Sequence, residues 1–99
     1  MSEPRLTDQA EIDLDGIWQS VAANSPATAD RVIDAILAAS RLYNRFPNMG
    51  QNRAAIRLGL RSFVVSPYVV FYRPADTVIE VLRVLHGARD IDRMIESEN

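Results

Sequence analysis

The spacing of apolar residues changes once along this chain, and the change falls between residues 47 and 53. Before it, apolar positions recur every three or four residues, which is the period of an amphipathic α-helix. After it, the spacing of the apolar residues changes from helical to strand-like. Helices and strands segregated in this way indicate an α+β fold. With 99 residues, 47% of them apolar, the sequence predicts a single domain over 1–99.

The first half of the chain predicts a short strand and then a helical hairpin. Asp8 followed by Glu11 is the side-chain pattern of a capped helix start. Ser25 is suited to cap a second helix, and Pro26 fits the first helical position because no amide hydrogen is needed there. The predicted elements are a strand at 5–7, helix one at about 9–24 and helix two at about 27–46.

The second half predicts an antiparallel meander of three strands. The sequences Ser66-Pro67 and Pro74 to Thr77 favour reverse turns and divide this half into three segments. Strands joined by such short turns pair with their neighbours in opposite directions. We predict the strands at 55–65, 68–73 and 78–86, and a possible short last helix at 90–96.

The charges are distributed unevenly. The chain has a net charge of -2, but residues 1–40 carry -5, residues 41–89 carry +6 and residues 90–99 carry -3. All eleven basic residues are arginine, which either reflects codon bias or serves the bidentate binding of anions. The basic middle segment predicts a surface that binds an acidic partner, either nucleic acid or an acidic protein segment.

Groups suited to catalysis are sparse. The chain has no cysteine, and a single His86 with Asp90 and Ser66 lacks the Gly-x-Ser-x-Gly turn of a hydrolase triad. One histidine with scattered acids does not form a metal-ligand set, and no glycine-rich phosphate loop is present. We therefore predict no catalytic residue, no metal and no cofactor. Without a signal sequence or an apolar run long enough to cross a bilayer, we expect a cytoplasmic protein.

Two features of helix one allow alternative interpretations. Its acids could be paired catalytic carboxylates, but acids stabilise the first turns of any helix, so we favour a solvent-exposed face. Trp18 fits the core, and it could also anchor a bound helix at the rim of the hairpin. The acids are Asp8, Glu11, Asp13 and Asp15.

Arginines are the most informative cluster in the predicted sheet, and we expect several to converge on one sheet surface. Arg83 lies within the apolar run 78–85, where an unpaired cation is costly. It therefore pairs either with an internal carboxylate, for which Glu80 is a candidate, or with an anion of a partner. The cluster consists of Arg57, Arg61, Arg73, Arg83 and Arg89.

Several short motifs, taken in order, resemble the ParE branch of the RelE/ParE toxin family. They are Leu6-Thr7, Asp13 to Trp18, Phe46 to Gly50, Phe71 to Arg73 and Val78 to Asp90. The resemblance covers about residues 5–95 and implies a compact toxin of a type II toxin–antitoxin pair. It further implies neutralisation by the C-terminal segment of a ParD-like antitoxin in a hetero-oligomer, with DNA gyrase as the target.

Within this interpretation we predict two binding surfaces. Target binding, and with it toxicity, is predicted at Arg83, His86 and Arg89. Antitoxin binding is predicted at Trp18, Val21, Arg57, Arg61, Phe63, Tyr68 and Arg73.

Two alternative functions remain open. The related RelE branch cleaves messenger RNA on the ribosome with lysines, arginines and a tyrosine near the C-terminus. This chain has no lysine and no tyrosine after Tyr72, which favours a binding protein over a RelE-like endoribonuclease. A non-toxic DNA-binding or assembly module is the third hypothesis. The negative net charge and the lack of an arginine-rich recognition helix argue against sequence-specific binding to free DNA.

Overall fold

A computed structural model of the chain describes residues 2–87 and residue 90. Two helices pack against one face of a five-stranded sheet, so the predicted α+β fold is confirmed. Apart from Asp90, the predicted helix at 90–96 lies outside the described residues. The elements are β1 (Arg5–Leu6), α1 (Asp8–Ala22), α2 (Pro26–Arg45), β2 (Gln51–Asn52), β3 (Arg61–Val65), β4 (Tyr68–Ala75) and β5 (Val78–His86).

The start of α1 is fixed by Thr7. Its extended backbone places the side-chain oxygen where it accepts the Ala10 N–H at 3.1 Å, and this satisfies one of the donors that a helix start leaves open. The same hydroxyl donates to the Leu82 carbonyl at 3.0 Å. The helix therefore begins at Asp8, one residue before the predicted start, and its first turn is tied to β5.

The helical hairpin forms as predicted at the start of α2. The Ser25 hydroxyl accepts the Thr28 N–H at 3.2 Å, and Pro26 is the first helical residue. Both helices end slightly earlier than predicted, at Ala22 and Arg45. Within the described ranges, neither helix combines the length and the hydropathy that crossing a bilayer requires.

The strand order in the sheet is β1-β5-β4-β3-β2. The antiparallel meander of β3, β4 and β5 confirms the prediction. The first strand, β1, pairs in parallel with the last, with Arg5 opposite Glu80 and Leu6 opposite Val81. The register of β4 and β5 shifts next to Phe71, which is a β-bulge of the kind that redirects side chains.

The segment before β3 differs from the prediction. We expected a strand from 55, but β3 begins at Arg61 and residues 53–60 form a loop. The Arg53 N–H donates to the Leu60 carbonyl at 2.8 Å, and Gly59 adopts a φ of 82° that favours glycine. The apolar spacing here reflects Ile56 and Leu60 packing against the sheet. Conversely, the predicted 47–53 loop contains β2, and β4 extends two residues further than expected.

The sheet has an apolar cluster on each face. On the helix face, the rings of Tyr43 from α2 and Phe63 stack with centroids 4.1 Å apart, next to the fully buried Tyr72. The opposite face, which we call the outer face, is covered in part by the 53–60 loop. Its cluster contains Leu60, Val69, Phe71 and Leu85, with Ile56 and Leu82 packed against it.

Candidate functional site

An ion pair joins α1 to the edge of β5 just beyond the end of β1. The Thr7 N–H donates to the Val81 carbonyl, and there the pairing with the first strand ends. Asp13 from α1 then accepts from the Arg83 Nε at 2.9 Å and from its Nη2 at 3.2 Å. The same carboxylate accepts the backbone N–H of Val84 at 2.9 Å. Asp13 thus takes the place of a missing strand partner and neutralises Arg83.

Arg83 therefore has an internal partner, but that partner is not Glu80. The Asp13 side chain is only 9% exposed, so the prediction that the acids of helix one face solvent is wrong for this residue. The hydrogen bond to Asp13 raises the pKa of the Arg83 guanidinium above its usual range. Glu80 pairs instead with Arg73 at 2.9 Å and with Arg5 at 3.5 Å.

His86 ends β5 as predicted, and its ring packs edge-on against Tyr68 at 5.8 Å between centroids. Among the residues that the structure describes, none forms a hydrogen bond with the buried Nδ1. Asp90 accepts the backbone N–H of His86 at 3.0 Å rather than a ring N–H, whereas a triad requires the carboxylate to orient the imidazole. The described residues contain no group of three or more His, Cys, Asp or Glu placed to hold a metal ion. Arg89 lies outside the described residues.

Arg61 and Tyr72 together hold the loop that follows α2. The Arg61 Nη1 donates to the carbonyls of Asn48 at 3.1 Å and Gly50 at 2.8 Å. The Tyr72 hydroxyl donates to the Pro47 carbonyl at 2.7 Å and accepts the Gly50 N–H at 3.0 Å. The Arg61 guanidinium therefore stabilises the fold on the helix side of the sheet.

The Tyr72 phenol is expected to make stability pH-dependent in alkaline solution. Burial raises its pKa above the ordinary value of 10.0, so the folded state holds this proton more tightly than the unfolded chain. The contribution of the protonated phenol to the free energy of unfolding is fully present below about pH 10. It is lost as the pH rises toward the pKa of the folded state. Urea unfolding between about pH 8 and pH 11 should show a steeper loss in the wild type than in Tyr72→Phe. If the free energy of unfolding fell equally with pH in the wild type and in Tyr72→Phe, the raised pKa of Tyr72 would be contradicted.

Two of the predicted arginines meet on the outer face beside a shallow cavity of about 330 Å³. Arg73 projects from β4, and its Nε donates to Glu80 at 2.9 Å. Arg57 belongs to the 53–60 loop. The cavity is lined by Thr7, Arg57, Leu58, Leu60, Arg73, Glu80 and Leu82.

The expectation that the arginines converge on one sheet surface is wrong as a whole. Arg57 and Arg73 share the outer-face cavity. Arg61 binds loop carbonyls on the helix side, and Arg83 binds α1 at the sheet edge. The guanidinium groups diverge because alternate strand residues point to opposite faces. They also diverge because Arg61 is bound by backbone carbonyls and Arg83 by the Asp13 carboxylate.

The residues predicted to bind an antitoxin differ in accessibility. Trp18 is 38% exposed, and its indole N–H donates to Asp30 at 2.8 Å, so the core interpretation of Trp18 is wrong. Val21 is half-buried. Phe63 and Tyr68 are 4% and 8% exposed and belong to the helix-face cluster. These two residues support the fold, and a partner has almost no surface of theirs to contact.

The sequence interpretation missed three residues that shape these surfaces. Asp13 gave no signal of its own, because its partner is 70 positions away. Arg53 donates to the Ser62 hydroxyl at 2.8 Å and lies over the Phe71 ring. Leu58 is 92% exposed, and the Gly59 that follows it was the available signal for a turn rather than a strand.

Comparison with solved structures first identifies the fold. A solved structure of the chromosomal ParDE toxin–antitoxin system from P. aeruginosa superposes with a TM-score of 0.72 and 24% identity, covering 87% of this chain and 96% of that chain. The helical hairpin on an antiparallel meander is therefore a fold shared with a ParDE protein.

Sequence comparison then defines the family. The family model described as the ParE toxin of the type II toxin-antitoxin system, parDE, matches residues 5–91. Toxin ParE3 of Caulobacter vibrioides is 31% identical over 80 residues, which is 80% of each chain. The chain belongs to the family of ParE toxins of type II toxin–antitoxin systems, which confirms the resemblance found in its motifs.

Proposed function

We propose that the chain is a toxin that inhibits DNA gyrase by binding it and is neutralised by a ParD-like antitoxin in the cytoplasm. The observation that carries the proposal is the ParE match over residues 5–91, which includes all of β5 and the residues directly after it. Membership of a two-component family implies an antitoxin partner. Gyrase as the target follows from the ParE branch that the motifs resemble.

The geometry of Arg83 favours inhibition by binding over the alternative of RNA cleavage. A nuclease of the RelE type uses free cationic side chains to stabilise the charge that develops on the phosphate. The Arg83 guanidinium is instead held by Asp13 through two hydrogen bonds. The sequence supplies no lysine to replace it and no tyrosine after Tyr72.

We assign target binding to His86 and Arg89 and give Arg83 a supporting position. His86 is the last residue of β5 and follows the point where Asp13 fixes the strand edge, and Arg89 comes three positions later in the sequence. The antitoxin surface that we propose keeps Trp18 and Val21 on the helical hairpin and Arg57 and Arg73 on the outer face. Arg61, also predicted to bind the antitoxin, lies between the 47–50 loop and the sheet.

A supercoiling and DNA-cleavage assay with purified gyrase tests the proposed target. We expect inhibition of supercoiling at micromolar toxin, reduced by roughly tenfold or more in Arg89→Ala and unchanged in Glu98→Ala. Tenfold corresponds to about 1.4 kcal/mol, an ordinary loss for a charged contact. The absence of any effect on gyrase at micromolar excess would refute the target.

Mapping transcript ends after induction tests the alternative. Cuts at a fixed codon position would identify a ribosome-dependent endoribonuclease in place of a gyrase inhibitor. Growth arrest that is reversed by the neighbouring open reading frame would support the toxin–antitoxin assignment and exclude a non-toxic DNA-binding or assembly module.

A further inference from the structure

The edge of β5 that continues past β1 is closed by side-chain carboxylates. Asp13 from α1 accepts the backbone N–H of Val84 at 2.9 Å, and Asp90 accepts that of His86 at 3.0 Å. Residues two apart in a strand direct their N–H groups to the same edge, about 7 Å from each other. The two carboxylates therefore lie side by side on one strand edge, one from the helical hairpin and one from the residues after β5.

Arg83 is bound by one of these carboxylates and attracted by the other. Its Nε and Nη2 donate to Asp13 at 2.9 Å and 3.2 Å. The hydrogen bond with Asp13 is the largest cause of the raised pKa of the guanidinium, and the nearby charge of Asp90 raises this pKa as well. The Arg83 side chain is 36% exposed, so it has room to turn if its present partner is lost. Asp90 is the carboxylate toward which it would turn.

The end of β5 is held by contacts on both of its edges. Toward β4, His86 pairs with Tyr68, and the Gly87 N–H donates to the Pro67 carbonyl at 2.8 Å. On the opposite edge, the carboxylate of Asp90 accepts the His86 N–H. With that contact removed, the described residues hold the strand end along one edge only, and a segment held by fewer contacts opens more readily.

We infer that Asp13 acts as a positioning residue for target binding by keeping Arg83 away from Asp90. Without Asp13, the guanidinium turns toward Asp90 and draws that carboxylate off the His86 N–H. His86 then leaves the position in which it contacts the target. The inference rests on the proposed function for the assignment of target binding to His86, whereas the change in the strand end is independent of any target.

Hydrogen exchange of the full chain, followed by NMR, tests the change in the strand end. Asp13→Asn keeps an oxygen that can accept the Val84 N–H but offers no charge to Arg83, so the variant should fold. We expect the His86 amide to exchange about tenfold faster relative to the amide of Val70, since a local opening exposes only the strand end. Val70 is a fully buried residue of β4 and reports the stability of the whole fold.

Gly50→Ala is the matched control for exchange. It destabilises the fold through contact with Tyr72 rather than through the edge of β5. Loss of global stability accelerates all amides that exchange through complete unfolding. In this variant the amides of His86 and Val70 should therefore accelerate by the same factor.

Growth arrest on induction measures the effect on toxicity whatever the target is, and the gyrase assay is run beside it. About tenfold more Asp13→Asn toxin should be needed for the same inhibition, an ordinary loss for a charged contact. Gly50→Ala should inhibit like the wild type once its folded fraction is matched. Growth arrest without inhibition of gyrase would refute the proposed target and leave the comparison between the variants valid. If the wild type arrests nothing, the toxin function fails and hydrogen exchange still decides the role of Asp13.

The double variant Asp13→Asn/Asp90→Asn distinguishes positioning from a simple loss of stability. An amide at position 90 still accepts the His86 N–H but carries no charge to attract Arg83. The double variant should therefore regain most of the inhibition and of the slow His86 exchange that Asp13→Asn loses. The inference is overturned if the second substitution restores nothing, or if the relative exchange of His86 in Asp13→Asn equals that of the wild type. Equal loss of inhibition in Gly50→Ala at the same folded fraction would also overturn it.

Discussion

Arg83→Ala is expected to lower the free energy of unfolding by about 2–3 kcal/mol, because it leaves the Asp13 carboxylate buried without its cation. Removing one partner of a fully buried pair costs roughly 3–5 kcal/mol, and Arg83 keeps about a third of its side chain exposed, so the cost here is somewhat smaller. Urea unfolding at neutral pH measures it. Arg31→Ala, which removes an exposed hydrogen bond to Thr28, should stay within about 0.5 kcal/mol of the wild type.

A double-mutant cycle separates the pair from the rest of the site. Asp13→Ala also removes the acceptor of the Val84 N–H, so it should be at least as destabilising as Arg83→Ala. The double variant should be less destabilised than the sum of the two, with a coupling of about 1 kcal/mol or more. Additive effects would mean that the contact contributes nothing. Because Arg83→Ala is expected to destabilise the fold, any loss of toxicity in this variant has to be compared with its loss of stability.

Gly50→Ala is expected to destabilise the fold by about 1–3 kcal/mol, as overpacking does in a filled core. A Cβ at Gly50 would overlap the Tyr72 hydroxyl and lie 2.7 Å from its Cε1. The ring cannot retreat, because Tyr72 is fully buried and its hydroxyl is bonded to the Pro47 carbonyl. Thermal unfolding should show a midpoint lower by roughly 4–8 °C for each kcal/mol lost.

Gly16→Ala is the matched control, since a Cβ there meets nothing within 4 Å. In the interior of α1 alanine is favoured over glycine, so this variant should gain about 0.5–1 kcal/mol. Tyr72→Phe removes the atom nearest to the added methyl group, and Gly50→Ala should cost less in that background. An unchanged cost would show that the hydroxyl is not the obstacle.

The features that the sequence predicted correctly are those set by neighbouring residues. Ser25 and Pro26 define the hairpin through local capping, and apolar runs between turn sequences define β4 and β5. Asp76, with a φ of 50°, lies in the β4–β5 turn, a conformation that aspartate tolerates better than most residues. Local rules were misleading for Leu58, where alternating apolar residues in a hydrogen-bonded loop have the same spacing as a strand.

The features that could not be predicted depend on distant pairs. The parallel pairing of β1 with β5 and the contact between Asp13 and Arg83 join residues about 70 or more positions apart. No periodicity links such residues. Arg83 was therefore correctly expected to need an anion, but Glu80, the nearest acid along the chain, was the internal candidate that the sequence offered beside an anion of a partner. The motifs identified the family, whereas the division of the arginines between two faces and an edge required coordinates.

The pairing of the first strand with the last has a consequence for synthesis on the ribosome. Thr7 and Asp13 are synthesised early, but the backbone groups and the guanidinium that they bind, on Val81 to Val84, are synthesised about 70 residues later. Until then the helical hairpin has no completed sheet to cover. Non-local pairing of this kind slows folding and keeps apolar surface exposed in the meantime. The fold can therefore close only after β5 has been synthesised.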